Sequence, residues 1–111
     1  MKINEKKLGL ISILSLVGQL IKDNLSALET SIDNHLTNGD LRVLIDLKEV
    51  TLIDSAGLEL LWDSLMKFRK IGGTLKLANP NDLIMDVLIA TKMNNIFEIF
   101  LDQEKAYRSF L

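Results

Sequence analysis

The sequence predicts a single α/β domain, residues 1–111, with a mostly parallel sheet of four to five strands and about four helices. Apolar segments of strand length alternate with amphipathic segments of helix length, which is the order of βαβ units. The segment from Leu41 to Leu47 carries apolar residues at odd and even positions, as expected of a parallel strand that is buried on both faces. A chain of 111 residues has room for one domain and not for two.

Composition argues against several classes of protein. The chain has 0 cysteines, which excludes disulfides and thiolate metal sites, and its 1 histidine argues against a histidine-rich metal site. We therefore expect no metal and no cofactor. The net charge of −2, without a cluster of lysine and arginine, argues against a nucleic-acid surface.

The most apolar stretch, Leu8 to Ile21, contains no charged residue. It is shorter than the roughly 20 residues of a membrane-spanning helix, so we expect no direct membrane insertion. Lysines precede it as in a signal peptide, but no small-residue cleavage site follows it. We therefore expect a buried strand here and a cytoplasmic location.

The first half of the chain is predicted to form two strands, a helix and a third strand. Gly9 offers a turn between the first two strands, and Gly18 is expected to end the second. Asp23 or Asn24 is expected to cap the helix, and Lys48-Glu49 is expected to be a loop after the third strand. The predicted elements are strands at 3–7, 10–17 and 41–47, a helix that ends at Asn38-Gly39 and carries an apolar stripe of Leu25, Leu28, Ile32 and Leu36, and a short apolar segment at 50–53.

The second half is predicted to continue the alternation. Gly72-Gly73 is expected to end the second helix, and Asn79-Pro80 is typical of an N-cap followed by proline in the first turn. Asp102 is expected to cap the last helix. The predicted elements are a helix at 56–71, a strand at 74–78, a helix from Pro80 to about Thr91, a short strand at 96–100 and a last helix that ends at Phe110 or Leu111.

Missing partners argue against enzymatic activity, and we predict no catalytic residue. Ser55 lies between a strand and a helix, as in a hydrolase nucleophile elbow, but that motif needs glycine where Ile53 stands, and it needs a histidine base. The only histidine, His35, lies near the end of a polar helix face and is expected to be solvated. No glycine-lysine phosphate loop is present.

The segment Asp54-Ser55-Ala56-Gly57-Leu58 has two interpretations. It is a helix cap alone, worth about 1 kcal/mol, or it also presents a functional serine at the exposed end of a helix. Gly57 in the first turn costs up to about 1 kcal/mol relative to alanine. That cost indicates a close approach of another backbone segment, or a need for open space beside the serine.

The run Leu44-Ile45-Asp46-Leu47, followed by the segment from Val50 to Leu58, resembles the signature of STAS domains. These domains occur in bacterial anti-sigma factor antagonists and in the tails of sulfate transporters. Further similar segments extend over nearly the whole chain: Gly18-Gln19-Leu20, Gly72-Gly73-Thr74-Leu75-Lys76-Leu77, Asn79-Pro80, Ile84 to Thr91, Ile96-Phe97 and Ala106. The resemblance implies a STAS-like single domain with a mixed, mostly parallel sheet.

The resemblance also implies a binding module that phosphorylation switches. In the antagonists of this family, the anti-sigma factor is a serine kinase that phosphorylates the serine directly after the aspartate, and Ser55 occupies that position. Phosphorylation blocks binding, and a serine phosphatase restores it. Three residues depart from the family pattern: Ala56 replaces a second hydroxyl residue, Ile21 stands where aspartate is frequent, and Lys92 stands where glycine is common.

We therefore predict an anti-sigma factor antagonist that is phosphorylated at Ser55 and binds its partner through the surrounding surface. Leu60 is expected to be exposed on the outer side of its helix together with Ser64. The opposite side is expected to form the core through Leu58, Leu61, Trp62, Leu65 and Phe68. The predicted partner-binding residues are Asp54, Ser55, Ala56, Gly57, Leu60, Met85 and Ile89.

Three questions stay open at this point. Met85 and Ile89 are displaced from the inner stripe of the third helix, so they belong either to the core or to a methionine-bearing patch that adapts to a partner. The domain could instead be a STAS subunit of a lipid-transport ABC ATPase complex, without a phosphorylation cycle. A nucleotide-binding or hydrolytic domain that uses Asp54 and Ser55 is a further alternative.

Overall fold

The computed structural model describes residues 1–111 and contains one five-stranded sheet and four helices. The strands lie in the order β1-β2-β3-β4-β5; β1 is antiparallel to β2, and all other neighbouring pairs are parallel. The elements are β1 (Lys2–Leu8), β2 (Ile11–Leu20), α1 (Ser26–Asn38), β3 (Arg42–Ile53), α2 (Ser55–Lys70), β4 (Thr74–Ala78), α3 (Asp82–Ala90), β5 (Ile99–Phe100) and α4 (Gln103–Arg108). The predicted α/β class and the mixed, mostly parallel sheet are confirmed.

The two faces of the sheet carry hydrophobic cores of different size. On one face, residues of α1, α2 and α3 join the sheet in a cluster of 20 buried residues. On the other face, Ala106 of α4 contributes to a cluster of 5 buried residues. Val43 and Ile45 of β3 belong to the larger cluster, and Leu44 between them belongs to the smaller one. The predicted burial of this strand on both faces is therefore confirmed.

The central pair of strands is longer than the sequence predicted. β3 continues through Lys48 and Glu49, so the loop predicted there is wrong, and β2 continues past Gly18. The two strands stay paired because two shifts of register, one of them next to Gly18, take up the additional residues of β3. As a result Leu20 pairs with Ile53, and both strands end at the same place.

Two of the four predicted caps, those of α1 and α3, are wrong. No side chain caps α1, and the side-chain amide of Asn24 instead donates to the carbonyl oxygen of Gln19 at 2.7 Å. The cap of α3 is Asn81, which accepts from the amide of Ile84 at 3.0 Å. Asn79 lies two residues before this cap and adopts a left-handed conformation with φ of 61°, so it cannot cap α3. Asp102 caps α4 as predicted, by accepting from the amide of Lys105.

The other element boundaries lie close to those that the sequence predicted. β4 has the predicted bounds, and Gly39 and Gly72 follow the ends of α1 and α2 with positive φ values. The last strand is shorter than predicted, because only Ile99 and Phe100 pair with β4. No helix in the structure combines the length and the apolar character that are needed to cross a bilayer.

His35 is mostly buried, which contradicts its predicted solvation. Only 14% of its side chain is exposed, because one carboxylate from β1 and one from the connection between α1 and β3 enclose the ring. Nε2 lies 2.8 Å from Oε1 of Glu5 on β1, and Nδ1 lies 2.9 Å from Oδ2 of Asp40, just before β3. Ser31 of α1 also donates to Glu5, and Lys7 of β1 also donates to Asp40. This network fastens the edge strand β1 to α1.

The network predicts a stability that depends on pH. Hydrogen bonds with His35 hold the pKa of Glu5 and of Asp40 below their ordinary values of 4.5 and 3.8. A lowered carboxyl pKa stabilises the fold fully above the ordinary value, and this contribution is lost as pH falls through the lowered pKa. His35→Leu should therefore reduce the free energy of unfolding more at about pH 7 than at about pH 2. Urea denaturation of both proteins measures this, and an equal loss at both pH values would contradict it.

Candidate functional site

Ser55 is the first residue of α2 and follows the end of β3 after the single residue Asp54. Its side chain is exposed, and its hydroxyl makes no hydrogen bond within the chain. Because β2 and β3 are parallel and end together, their carboxyl ends and the amino end of α2 meet at this edge of the sheet. This edge is where α/β sheets place their functional residues.

Asp54 uses both carboxylate oxygens to position the start of α2. Oδ1 accepts from the amide of Gly57 at 2.9 Å and caps the helix, and Oδ2 accepts from the amide of Lys22 at 3.0 Å. These two backbone hydrogen bonds lower the pKa of Asp54, so its carboxyl group stays ionised at neutral pH. Asp54 thereby ties α2 to the 3-10 turn that follows β2, Lys22–Asn24.

Gly57 is buried where α2 crosses the end of β2. A Cβ atom at this position would lie 2.1 Å from the carbonyl oxygen of Leu20. The same oxygen accepts from the amide of Asp54 at 3.3 Å, so the end of β2 contacts both Asp54 and Gly57 through one carbonyl group. Of the two alternatives that the sequence left open at Gly57, the structure confirms the close approach of another backbone segment. Gly57 supports the site from beneath the surface, since it has no exposed side chain to offer a partner.

The amino end of α2 keeps one free backbone donor. The amides of Gly57 and Leu58 donate to Asp54 and that of Ala56 also faces its carboxylate, whereas the amide of Ser55 donates to no acceptor within the chain. A free amide at the end of a 16-residue helix, together with the positive end of its dipole, favours negative charge. The site therefore combines an exposed hydroxyl with a local environment that tolerates an anion.

The outer side of α2 is less exposed than predicted. Ser64 is buried, and its hydroxyl donates to the carbonyl oxygen of Leu60 at 2.6 Å. Leu60 itself is half-buried and packs against the larger core. Trp62, predicted to lie in the core, is 40% exposed. Leu60 and Ser64 are covered because α1 lies beside α2, on the face that carries both residues.

The two predicted contact residues on α3 have different environments. Ile89 is 50% exposed, so the interpretation of Ile89 as a core residue is wrong, and Met85 is half-buried. Neither residue lines the depressions between α1 and α2 that begin next to Ser55. The structure thus brings Asp54, Ser55 and Ala56 together with Leu60, and it leaves Met85 and Ile89 on a separate helix.

Sequence reasoning missed the residues that other elements bring to this site. Leu20 and Lys22 precede Ser55 by more than 30 positions and reach it only because β2 and β3 pair in parallel. The carboxylates of Glu29 and Asp33 on α1 face the outer side of α2 in the same way. The sequence did offer one signal for these two carboxylates: their spacing of four residues places both on one face of α1.

Comparison with known proteins places this geometry in a family. The family model of the STAS domain matches residues 2–106 of this chain. A search of the curated proteins finds no match to the chain.

Several solved structures have the same fold. An anti-sigma factor antagonist from Mycobacterium paratuberculosis superposes with a TM-score of 0.86 at 19% identity, over 97% of this chain and 92% of that chain. A Thermotoga maritima protein described as a candidate anti-sigma factor antagonist gives 0.86 at 22% identity, over 96% and 92%. The Bacillus cell fate determinant SpoIIAA in its phosphorylated form gives 0.77 at 14% identity, over 99% and 100%. At these identities the likeness establishes the fold alone.

Gly57→Ala tests the contact between α2 and β2. The added methyl group would meet a backbone carbonyl oxygen, which cannot move aside as a flexible side chain does. We expect the free energy of unfolding to fall by about 2 to 3 kcal/mol, measured by urea denaturation. Ser55→Ala is the matched control, and it should change stability by less than about 1 kcal/mol because the position is exposed. A Gly57→Ala variant as stable as the control would show that the two backbones are not in close contact.

Proposed function

The chain belongs to the STAS domain family, and on this premise we propose that it is an anti-sigma factor antagonist switched by phosphorylation of Ser55. In its unmodified form it binds an anti-sigma factor that is a serine kinase, and a sigma factor is released. Phosphorylated at Ser55, it dissociates until a serine phosphatase removes the phosphate. These partners act in the cytoplasm. The observation that supports the proposal best is the exposed hydroxyl of Ser55 at the amino end of α2.

The local geometry allows the domain to carry a phosphate at Ser55. The free amide of Ser55 and the helix dipole favour negative charge there. The hydroxyl is exposed, so a phosphate needs no rearrangement of the core. Phosphorylation should therefore change binding and leave folding nearly unchanged.

The phosphate acts on the partner through charge and volume. A kinase that phosphorylates Ser55 must hold the terminal phosphate of its nucleotide in line with the serine oxygen. After transfer, the new phosphate brings a charge of about −1.5 to −2 to the same place. It faces the phosphates that remain on the nucleotide, and it also separates the two surfaces by its own size. Both effects favour dissociation.

Substitutions of Ser55 test the switch against the anti-sigma factor kinases of the source organism, each purified and studied with ATP. Ser55→Ala should bind and accept no phosphate, whereas Ser55→Asp should bind at least about 10-fold more weakly, a loss of about 1.4 kcal/mol. Both should melt within a few degrees of the wild type. Calorimetry measures affinity, and transfer of labelled phosphate measures modification.

Thr51→Ala is the matched control, because Thr51 is another exposed hydroxyl residue near the end of β3. It should bind and accept phosphate as the wild type does. Continued labelling of Ser55→Ala would identify a different acceptor, and full affinity of Ser55→Asp would reject the switch. A pull-down from the source organism, read by mass spectrometry, that recovers a lipid-transport ATPase in place of a kinase would support the alternative function in an ABC complex.

A further inference from the structure

A solvent-open groove runs between α1 and α2 and begins directly beside Ser55. Its first part, about 310 Å³ in volume, is lined by residues that include Ala56, the neighbour of Ser55. Its second part, about 210 Å³, continues along α2 as far as Lys67. The two parts share Glu29, Leu60 and Asp63, so they form one continuous surface.

The floor of this groove is apolar. Leu25 and Ile32 of the α1 side are buried beneath it, and Leu60 of α2 is half-buried within it. Leu60 packs against the larger core with part of its side chain and leaves the remainder accessible in the groove. An apolar side chain of a partner could therefore cover Leu60 without any movement of the helices.

The walls of the groove carry four carboxylates against two lysines, Lys22 and Lys67. Glu29 and Asp33 lie one turn apart on α1, and Glu59 and Asp63 lie one turn apart on α2. None of the four carboxylates takes part in an ion pair within the chain, although the structure contains 6 such pairs elsewhere. Like charges at this spacing destabilise a helix. Lys67, one turn after Asp63, offsets part of this repulsion on α2, and Glu29 lies in the first turn of α1, where the helix dipole favours negative charge; the groove as a whole keeps a net negative charge.

We propose that this groove docks a cationic, amphipathic segment of the anti-sigma factor kinase. One apolar side chain of the segment covers Leu60, and its lysine or arginine side chains pair with the carboxylates on both walls. The inference rests on the proposed function, and it adds the chemistry of the partner surface. Because the groove begins at Ala56, a segment that occupies it also brings the kinase to Ser55.

This docking is compatible with release by phosphorylation. The phosphate on Ser55 faces the nucleotide of the kinase, whereas the cationic segment lies along the groove, farther from the serine. The groove contributes attraction between opposite charges, which raises the association rate and makes it depend on salt. The phosphorylation state of Ser55 then determines whether the complex persists.

Neutralisation of the groove away from Ser55 tests the proposal. The groove variant is Asp33→Asn with Asp63→Asn, and the control is Glu49→Gln with Asp86→Asn. The control carboxylates are unpaired, lie outside the groove, and give the same change in net charge. Surface plasmon resonance with the purified kinase at about 50 and about 300 mM salt measures the association rate and Kd. Melting temperature and phosphate transfer at saturating kinase show whether fold and acceptor are intact.

We expect the groove variant to lose about 10-fold in affinity at the lower salt concentration, chiefly through slower association, and to show a weaker dependence on salt. The control should stay within about twofold of the wild type. Equal behaviour of the two variants, while the wild type binds and Ser55 is labelled, would overturn the groove proposal alone. Failure of the unmodified wild type to bind any of the kinases would overturn the proposed function as well.

Discussion

The contact between the amino end of α2 and the end of β2 determines the position of every other part of the site. Leu20 supplies the carbonyl oxygen that Gly57 approaches, and Asp54 joins the amides of Gly57 and Lys22 through its two carboxylate oxygens. A side chain at position 57 would separate the helix from the strand. The exposure of Ser55 and the start of the groove at Ala56 both follow from this packing.

Helix α2 has two different electrostatic environments, one at its amino end and one along its side. At its amino end, the free amide of Ser55 and the dipole favour an anion, while the groove along its side carries unpaired carboxylates. Lys67, Arg69 and Lys70 in its last turn complement the negative end of the dipole. A single rigid element can therefore carry both a site for added phosphate and a surface for a cationic partner, without a change of conformation.

The sequence predicted best what depends on neighbouring residues. The alternation of elements, the bounds of β4 and the cap at Asp102 follow from local periodicity and capping. The close approach at Gly57 was one of two alternatives that the sequence offered, because glycine is unfavourable in the first turn of a helix. Lys92 is informative as well: it adopts a left-handed conformation with φ of 61°, a region that favours the glycine that the family resemblance implies at this position.

The remaining features depend on residues far apart in the chain. β3 stays a strand through Lys48 and Glu49 because β2 pairs with it, which no local pattern indicates. His35 is enclosed by Glu5, 30 positions earlier, and Ser64 is buried because α1 packs beside α2. The composition of the groove could not be predicted either, since its walls come from two helices whose relative position is set by the sheet.

The most direct test of the central claim is the ionisation of a phosphate placed on Ser55, followed by phosphorus NMR as the pH is varied. The free amide of Ser55 and the dipole of α2 should outweigh the neighbouring carboxylate of Asp54 and lower the second pKa of this phosphate below the roughly 6 of an ordinary phosphoserine. The amide protons of Ser55 and Ala56 should shift with the same midpoint, while the other amide signals stay in place. An ordinary pKa with unchanged amides, or a general loss of native signals on phosphorylation, would contradict the account.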